Sequence, residues 1–186
     1  MPNTFTVTTN DVSEKSSPVM LYTQSSMILG EARVVSQIRV STWLKTSSAP
    51  DIVRLYNAKV ILTTGASPSR PILFPEIHIP NIDILAMHLL PPTSEPLDYD
   101  PSEPNRHMLP ISIIFNSFQA DGTLWVSTRV DLAKFIELNR EAFTSVYDVR
   151  ITSPIFPALP VIRVPMMICR QAKVIFAGQS SPNPGS

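Results

Sequence analysis

Short apolar runs rich in β-branched residues recur along the chain, broken by proline or by polar turn residues. Residues 19–23 and 111–115 read as strands because branched and aromatic side chains suit a pleated, half-buried surface. Gln24-Ser25-Ser26 and Gln119-Ala120-Asp121-Gly122 supply turn chemistry after them. Second strands follow over 27–35 and 123–127. Gly30 lies inside the first of these, where glycine marks a bulge or a close backbone approach. The period then changes. Asp131 is placed to cap a helix over 132–138, whose Leu132, Phe135 and Ile136 share one face at i, i+3, i+4 spacing. Ser41 offers a weaker cap to a single turn over 42–45. Later strands are expected over 51–63 and 144–152, over 71–79 and 157–164, and over 82–89 and 173–177. Trp43 and Phe135 are expected to plug the ends of small barrels rather than to stack a ligand.

This order of elements occurs twice. With Pro18 set over Pro110, Gly30 falls on Gly122, Val34 on Val126, Ile38 on Val130, Trp43 on Phe135 and Leu44 on Ile136. After a slip of one residue, Tyr56-Asn57-Ala58-Lys59-Val60 falls on Tyr147-Asp148-Val149-Arg150-Ile151. Ile77-His78-Ile79-Pro80 is then matched to Ile162-Arg163-Val164-Pro165. The expected fold is mainly β. It consists of two tandem small β-barrel-like modules, β-β-α-β-β-β each, over 18–90 and 110–178 and related by internal duplication. Closing a sheet removes the exposed edges that all-β proteins must manage. A single merged sandwich is the rival arrangement.

Between the modules, residues 91–109 are rich in proline and carry Glu95, Asp98, Asp100 and Glu103. Proline fixes φ and removes amide donors, so an extended linker is expected there, one that extends no ladder. Tyr99, Met108 and Leu109 are available to tack it onto a module face. The linker is acidic and the two modules are each slightly basic, which favours a compact arrangement through a small, salt-screened attraction. Residues 1–17 and 179–186 read as flexible ends. No apolar run reaches the roughly 20 residues that a membrane-spanning helix needs. The first residues have neither the basic nor the apolar region of a secretion signal. A soluble, cytoplasmic protein is the expectation.

Composition narrows the chemistry. Fifteen basic and fifteen acidic residues cancel, unlike a dedicated polyelectrolyte binder. One cysteine, Cys169, rules out an intrachain disulfide and a multi-cysteine zinc site. Its apolar neighbours point to a buried core thiol. Five glycines leave no phosphate-cradling loop, and no nucleophile elbow or dinucleotide fingerprint occurs. His78, His88 and His107 lack metal-ligand spacing. No cofactor and no catalytic residue is assigned.

Ile28-Leu29-Gly30, then Arg39-Val40-Ser41-Thr42-Trp43-Leu44, then Leu55-Tyr56-Asn57-Ala58-Lys59-Val60 follow the pattern Ile-x-Gly, Arg-x-Ser-x-x-Leu, Leu-x-Asn-Ala-x-Val. In this, about a quarter of the chain resembles small bacterial β domains that have no assigned activity. The resemblance implies a fold and no chemistry. The segment from Met20 to Val60 also distantly resembles an Sm-like barrel, without the Asp-x-x-x-Asn and Arg-Gly signatures of the RNA site. The functional expectation is a non-catalytic interaction or structural subunit with a protein partner or self-association. Its candidate contact residues are Ile72, Leu73 and Phe74, and Ile155, Phe156 and Leu159. The alternative is nucleic-acid binding, with Arg33, Arg39, Arg54, Lys59 and Arg70 and then Arg129, Lys134, Arg150, Arg163, Arg170 and Lys173 as the available cations.

Overall fold

A computed structural model describes residues 13–47 and 49–179. Its strands are β1 (Glu14–Tyr22), β2 (Ser26–Val35), β3 (Ile52–Leu62), β4 (Ile72–Pro80), β5 (Ala86–Leu89), β6 (Arg106–Phe115), β7 (Phe118–Ser127), β8 (Phe143–Thr152), β9 (Ile162–Arg170) and β10 (Ile175–Gly178). The one α-helix among the described residues is α1 (Leu132–Leu138), capped by Asp131, whose side chain accepts from the amide of Lys134 at 2.9 Å. Short 3-10 turns occupy Val40–Lys45, Asn81–Asp83 and Gln171–Lys173.

The mainly β class holds, but closure does not. All ten strands form one open antiparallel sheet in the order β10-β6-β7-β8-β9-β5-β1-β2-β3-β4. The first five strands run 5-1-2-3-4 across it and the second five run 10-6-7-8-9. Each half therefore folds its last strand back beside its first. The pair that would close each half is missing, because β5 pairs with β9 across the middle of the sheet. β4 and β10 are left as the two outer strands.

The halves correspond in detail. Pro18 and Pro110 sit one residue before Val19↔Gly30 and Ile111↔Gly122 in the two leading hairpins. The register of β2 on β3 slips between Leu29 and Glu31, and that of β7 on β8 slips between Asp121 and Thr123. Opposite these bulges, Asn57 and Asp148 take left-handed φ values of 50° and 51°. Short polar side chains tolerate that region. A Cβ at Gly122 would lie 2.8 Å from the Tyr147 carbonyl oxygen, and one at Gly30 would lie 3.2 Å from that of Tyr56. Both glycines are there for close backbone approach.

Several expectations shift. The second hairpin turns at Asn116-Ser117, and Gln119-Ala120-Asp121-Gly122 lies inside β7, where Gly122 faces Ile111. β1 begins at Glu14, so residues 14–17 join the ladder rather than a flexible end. Residues 1–12 and 180–186 lie outside the described residues. β6 starts at Arg106, so Arg106–Leu109, expected in the linker, pair with β7. Pro110 fits because β10 reaches only Ile111–Ile114, leaving its other side unladdered. β9 runs to Arg170, so the match of Ile77–Pro80 to Ile162–Pro165 is out by five residues. In register, Pro75 stands with Pro165, Ile79 with Cys169 and Pro80 with Arg170, each pair facing the same point of β3 or β8.

Side chains alternate across a strand, and β1 uses both faces. Val19 and Leu21 join Trp43, Leu44, Val53 and Leu55 in the core of the first half. Met20 and Tyr22 join Ile111, Ile113, Phe115 and Phe118 in the core of the second. Tyr22 meets the Phe115 and Phe118 rings edge-on, with centroids 5.2 and 5.0 Å away. In the other direction, Phe143 and Ile168 of the second half enter the first core. Trp43 and Phe135 each pack on the core of their own half.

Candidate functional site

Two regions stand out: a polar cleft where both halves meet the intervening strap, and the outer edges of the sheet. The strap is proline-rich and cannot ladder, so it lies across both halves and inserts two carboxylates. Glu95 accepts from the amides of Val40 and Ser41 at 3.0 and 2.9 Å, from Ser41 Oγ at 2.6 Å and from Lys15 Nζ at 2.9 Å. Ser41 was expected to cap this turn. Instead it lies within it, and a carboxylate 54 residues away does the capping. Burial alone would raise the Glu95 carboxyl, but the bonds from Ser41, Lys15 and Val40 outweigh it and hold the group at about 2.

Asp98 is the second anchor. It accepts from Tyr147 Oη at 2.6 Å, Ser145 Oγ at 2.7 Å and Lys45 Nζ at 3.0 Å. Burial works to raise its carboxyl too, and these bonds again win, leaving it below its ordinary range. Burial, with Asp98 beside it, pushes the Tyr147 hydroxyl upward. Tyr99 packs on Trp125 and Tyr147, with ring centroids 5.0 and 4.7 Å apart. The cleft holds about 510 Å³.

Lysine, serine, tyrosine and aspartate together invite comparison with a nucleophile and its base. A nucleophilic serine needs a neutral base to take its proton. Here Lys45 Nζ donates to Ser145 Oγ at 3.0 Å while paired with Asp98 and, at 3.3 Å, with Glu141. Ser145 in turn donates to a carboxylate whose lowered pKa makes it a weak base. These groups satisfy one another, which is the chemistry of a clasp tying the strap to both halves. The buried Nε1 of Trp125 has no acceptor among the described residues.

The other candidates scatter. Cys169 is fully buried, and burial pushes its thiol up to about 12. His88 is buried, with Nε2 3.1 Å from Tyr22 Oη and Nδ1 2.9 Å from the Leu89 carbonyl oxygen. Burial pushes it down to about 4, so the ring is neutral, with Nδ1 donating to Leu89 and Nε2 accepting from Tyr22. His78 bonds Glu76, which also pairs with Arg54. Among the described residues no three metal-ligating side chains gather. Nor is any helix there long and apolar enough to cross a membrane. Of the cations, Arg33 lies over the Tyr56 ring at 3.9 Å, Arg150 faces Asp121 at 3.8 Å and Arg170 is buried in the seam between the halves.

The predicted contact residues divide. Ile72, Leu73 and Phe74 are consecutive on the outer strand β4 and are 43%, 69% and 40% exposed. Ile155 is exposed, Phe156 is buried at 3%, and Leu159 packs against the second core. The first three thus all lie exposed on an outer strand, Ile72 and Phe74 on one face and Leu73 on the other, and the second three share no such placement. No family model, curated protein or solved structure matches the chain.

Proposed function

We propose that the chain is a non-catalytic structural or assembly subunit, built from two copies of one five-strand unit, that works by protein contact through the ends of its sheet. The observation that carries this is β4, an outer strand with no neighbour beyond it among the described residues and three consecutive exposed large apolar residues. Unpaired edge strands are templates for a further strand. The repeated glycine bulge, the paired left-handed residues and the shared 5-1-2-3-4 order support the duplication. Each half then reads as a small barrel opened where its neighbour joins. The mutual satisfaction of the charged groups in the cleft favours a holding role there over a reacting one.

The test is a photo-crosslinking side chain at Leu73, with the exposed Glu137 of α1 as control position, irradiated in extract of the source cells. Adducts with protein chains at position 73 and none at 137 are expected. Absence of adducts at 73, or an equal yield at both positions, overturns the reading.

A further inference from the structure

The seam inside the molecule describes what fits its ends. β5 and β9 run antiparallel with Ala86 opposite Cys169 and Met87 opposite Ile168. β5 is the fifth strand of the first half, and β9 is the fourth strand of the second. The remaining fourth strand is β4 and the remaining fifth strand is β10, and these are the two outer strands of the sheet. Each chain therefore makes one fourth-to-fifth pairing internally and carries one unmatched member of that pair at each end. We infer that the occupant of β4 is β10 of a second copy of this chain, paired antiparallel in the register of the internal seam. This rests on the protein-contact reading above and names its partner.

The register transfers residue by residue. Ile79 stands where Cys169 does and His78 where Ile168 does. Tyr22↔Ala86 and Leu21↔Met87 correspond to Ile114↔Ile175 and Ile113↔Phe176. Between copies, Ile79 then faces Ile175, His78 faces Phe176 and Glu76 faces Gly178. The exposed side chains agree with a seam awaiting its other side. Ile114 and Ile175 are 45% and 64% exposed, whereas Tyr22 and Ala86, their counterparts in the occupied seam, are fully buried.

One difference sets the strength. Arg170 donates from its amide to the Leu85 carbonyl at 2.7 Å, from Nε to Ile84 at 3.0 Å and from Nη2 to both oxygens of Asn81 at 2.6 Å. Pro80 stands in its place on β4 and has neither amide hydrogen nor guanidinium. The contact between copies is therefore weaker than the internal one and reversible with concentration. It is heterologous, so repetition gives a closed ring or a helical filament according to the rotation per step.

Two single variants of the full chain test it, Glu76→Cys and Gly178→Cys. Both positions are exposed, and a Cβ at Gly178 meets nothing within 4 Å. Facing residues of antiparallel strands have Cα atoms about 4.5–5.5 Å apart, within disulfide range. Under mild oxidation, linked dimer is expected in the mixture and not in either variant alone. The double variant is expected to give a multimer series. In the otherwise unmodified chain, Pro80→Ala restores an amide donor and is expected to lower the concentration for half-association roughly fivefold. Linked dimer from Glu76→Cys alone, at the yield of the mixture, overturns the head-to-tail pairing. So does a constant monomer mass by sedimentation across concentration. Adducts at Leu73 with other proteins alongside a constant monomer mass overturn the second-copy partner while leaving the contact reading intact.

Discussion

β9 and β4 hold the same place in their halves and meet different surroundings. Both are apolar strands, and both carry a proline, Pro165 and Pro75, opposite the left-handed residue of the preceding strand. Met166 to Arg170 of β9 are all buried. In the matching stretch of β4, Glu76, His78 and Pro80 are exposed, and only Ile79 is buried. The difference is the neighbour: β9 has β5 beside it, and among the described residues β4 has none. The composition follows, with Glu76 for Met166, His78 for Ile168 and Pro80 for Arg170. Polar residues and proline on an outer strand restrain indiscriminate pairing. Burial here follows from what lies alongside a strand more than from the strand itself.

The comparison breaks most sharply in stability. Met167→Ala empties a fully buried site in the second core and is expected to cost about 4 kcal/mol. Ile77→Ala, at the matching site of the outer strand, is expected to cost about 1 kcal/mol. Urea unfolding of both variants measures the gap, and equal losses would show that the seam does not distinguish the two strands.

A smaller contrast lies in the fifth strands, where His88 of β5 matches Ala177 of β10. His88 is neutral when folded, held at about 4, and titrates near 6.5 when unfolded. The unfolded chain therefore binds the extra proton first. Stability is full above pH 6.5 and is lost as the pH falls toward 4, by about 3 kcal/mol in total. Denaturation at intervals across that window is expected to show the slope, and His88→Gln is expected to flatten it. At lower pH the strap loosens in turn, as Glu95 and Asp98 gain protons and their bonds weaken.

The smallest contrast is between the bulge glycines. Gly122→Ala forces a Cβ to 2.8 Å from a backbone oxygen and 2.9 Å from Val146 Cγ1, and is expected to cost about 2 kcal/mol. Gly30→Ala meets Leu55 and the Tyr56 carbonyl at 3.1 and 3.2 Å and is expected to cost about half of that. Thermal melts of the two variants rank them, and the reverse ranking would mean that the first half is the tighter at its bulge.

Much of this was legible in the chain. Gly30, the Tyr56 and Tyr147 segments and the Asp131 cap all stand where alternation and capping place them, whereas Gly122, read into a turn, stands inside β7. The later strands were harder to place. Prolines 154, 157 and 160 look like strand ends but belong to a loop, and β9 lies beyond them in a continuous apolar run whose periodicity shows no face. The clasp was hidden because Glu95 and Asp98 are unremarkable in a proline-rich linker. They matter only once the strap is laid against Val40, Ser41, Lys45, Ser145 and Tyr147. Among the contact candidates, Leu73 and Phe156 read alike in sequence, and only the surroundings separate an outer strand from a core.

What the sequence by itself determined is the run of strands within each half, since alternation, bulge glycines and hairpin turns act between residues close along the chain. What only the tertiary structure decided is that the halves share one open sheet, with β5 against β9 and with β4 and β10 left outside. The physical reason is that strand pairing uses the amide and carbonyl groups that almost every residue carries, so which edges meet is settled by packing across the whole sheet.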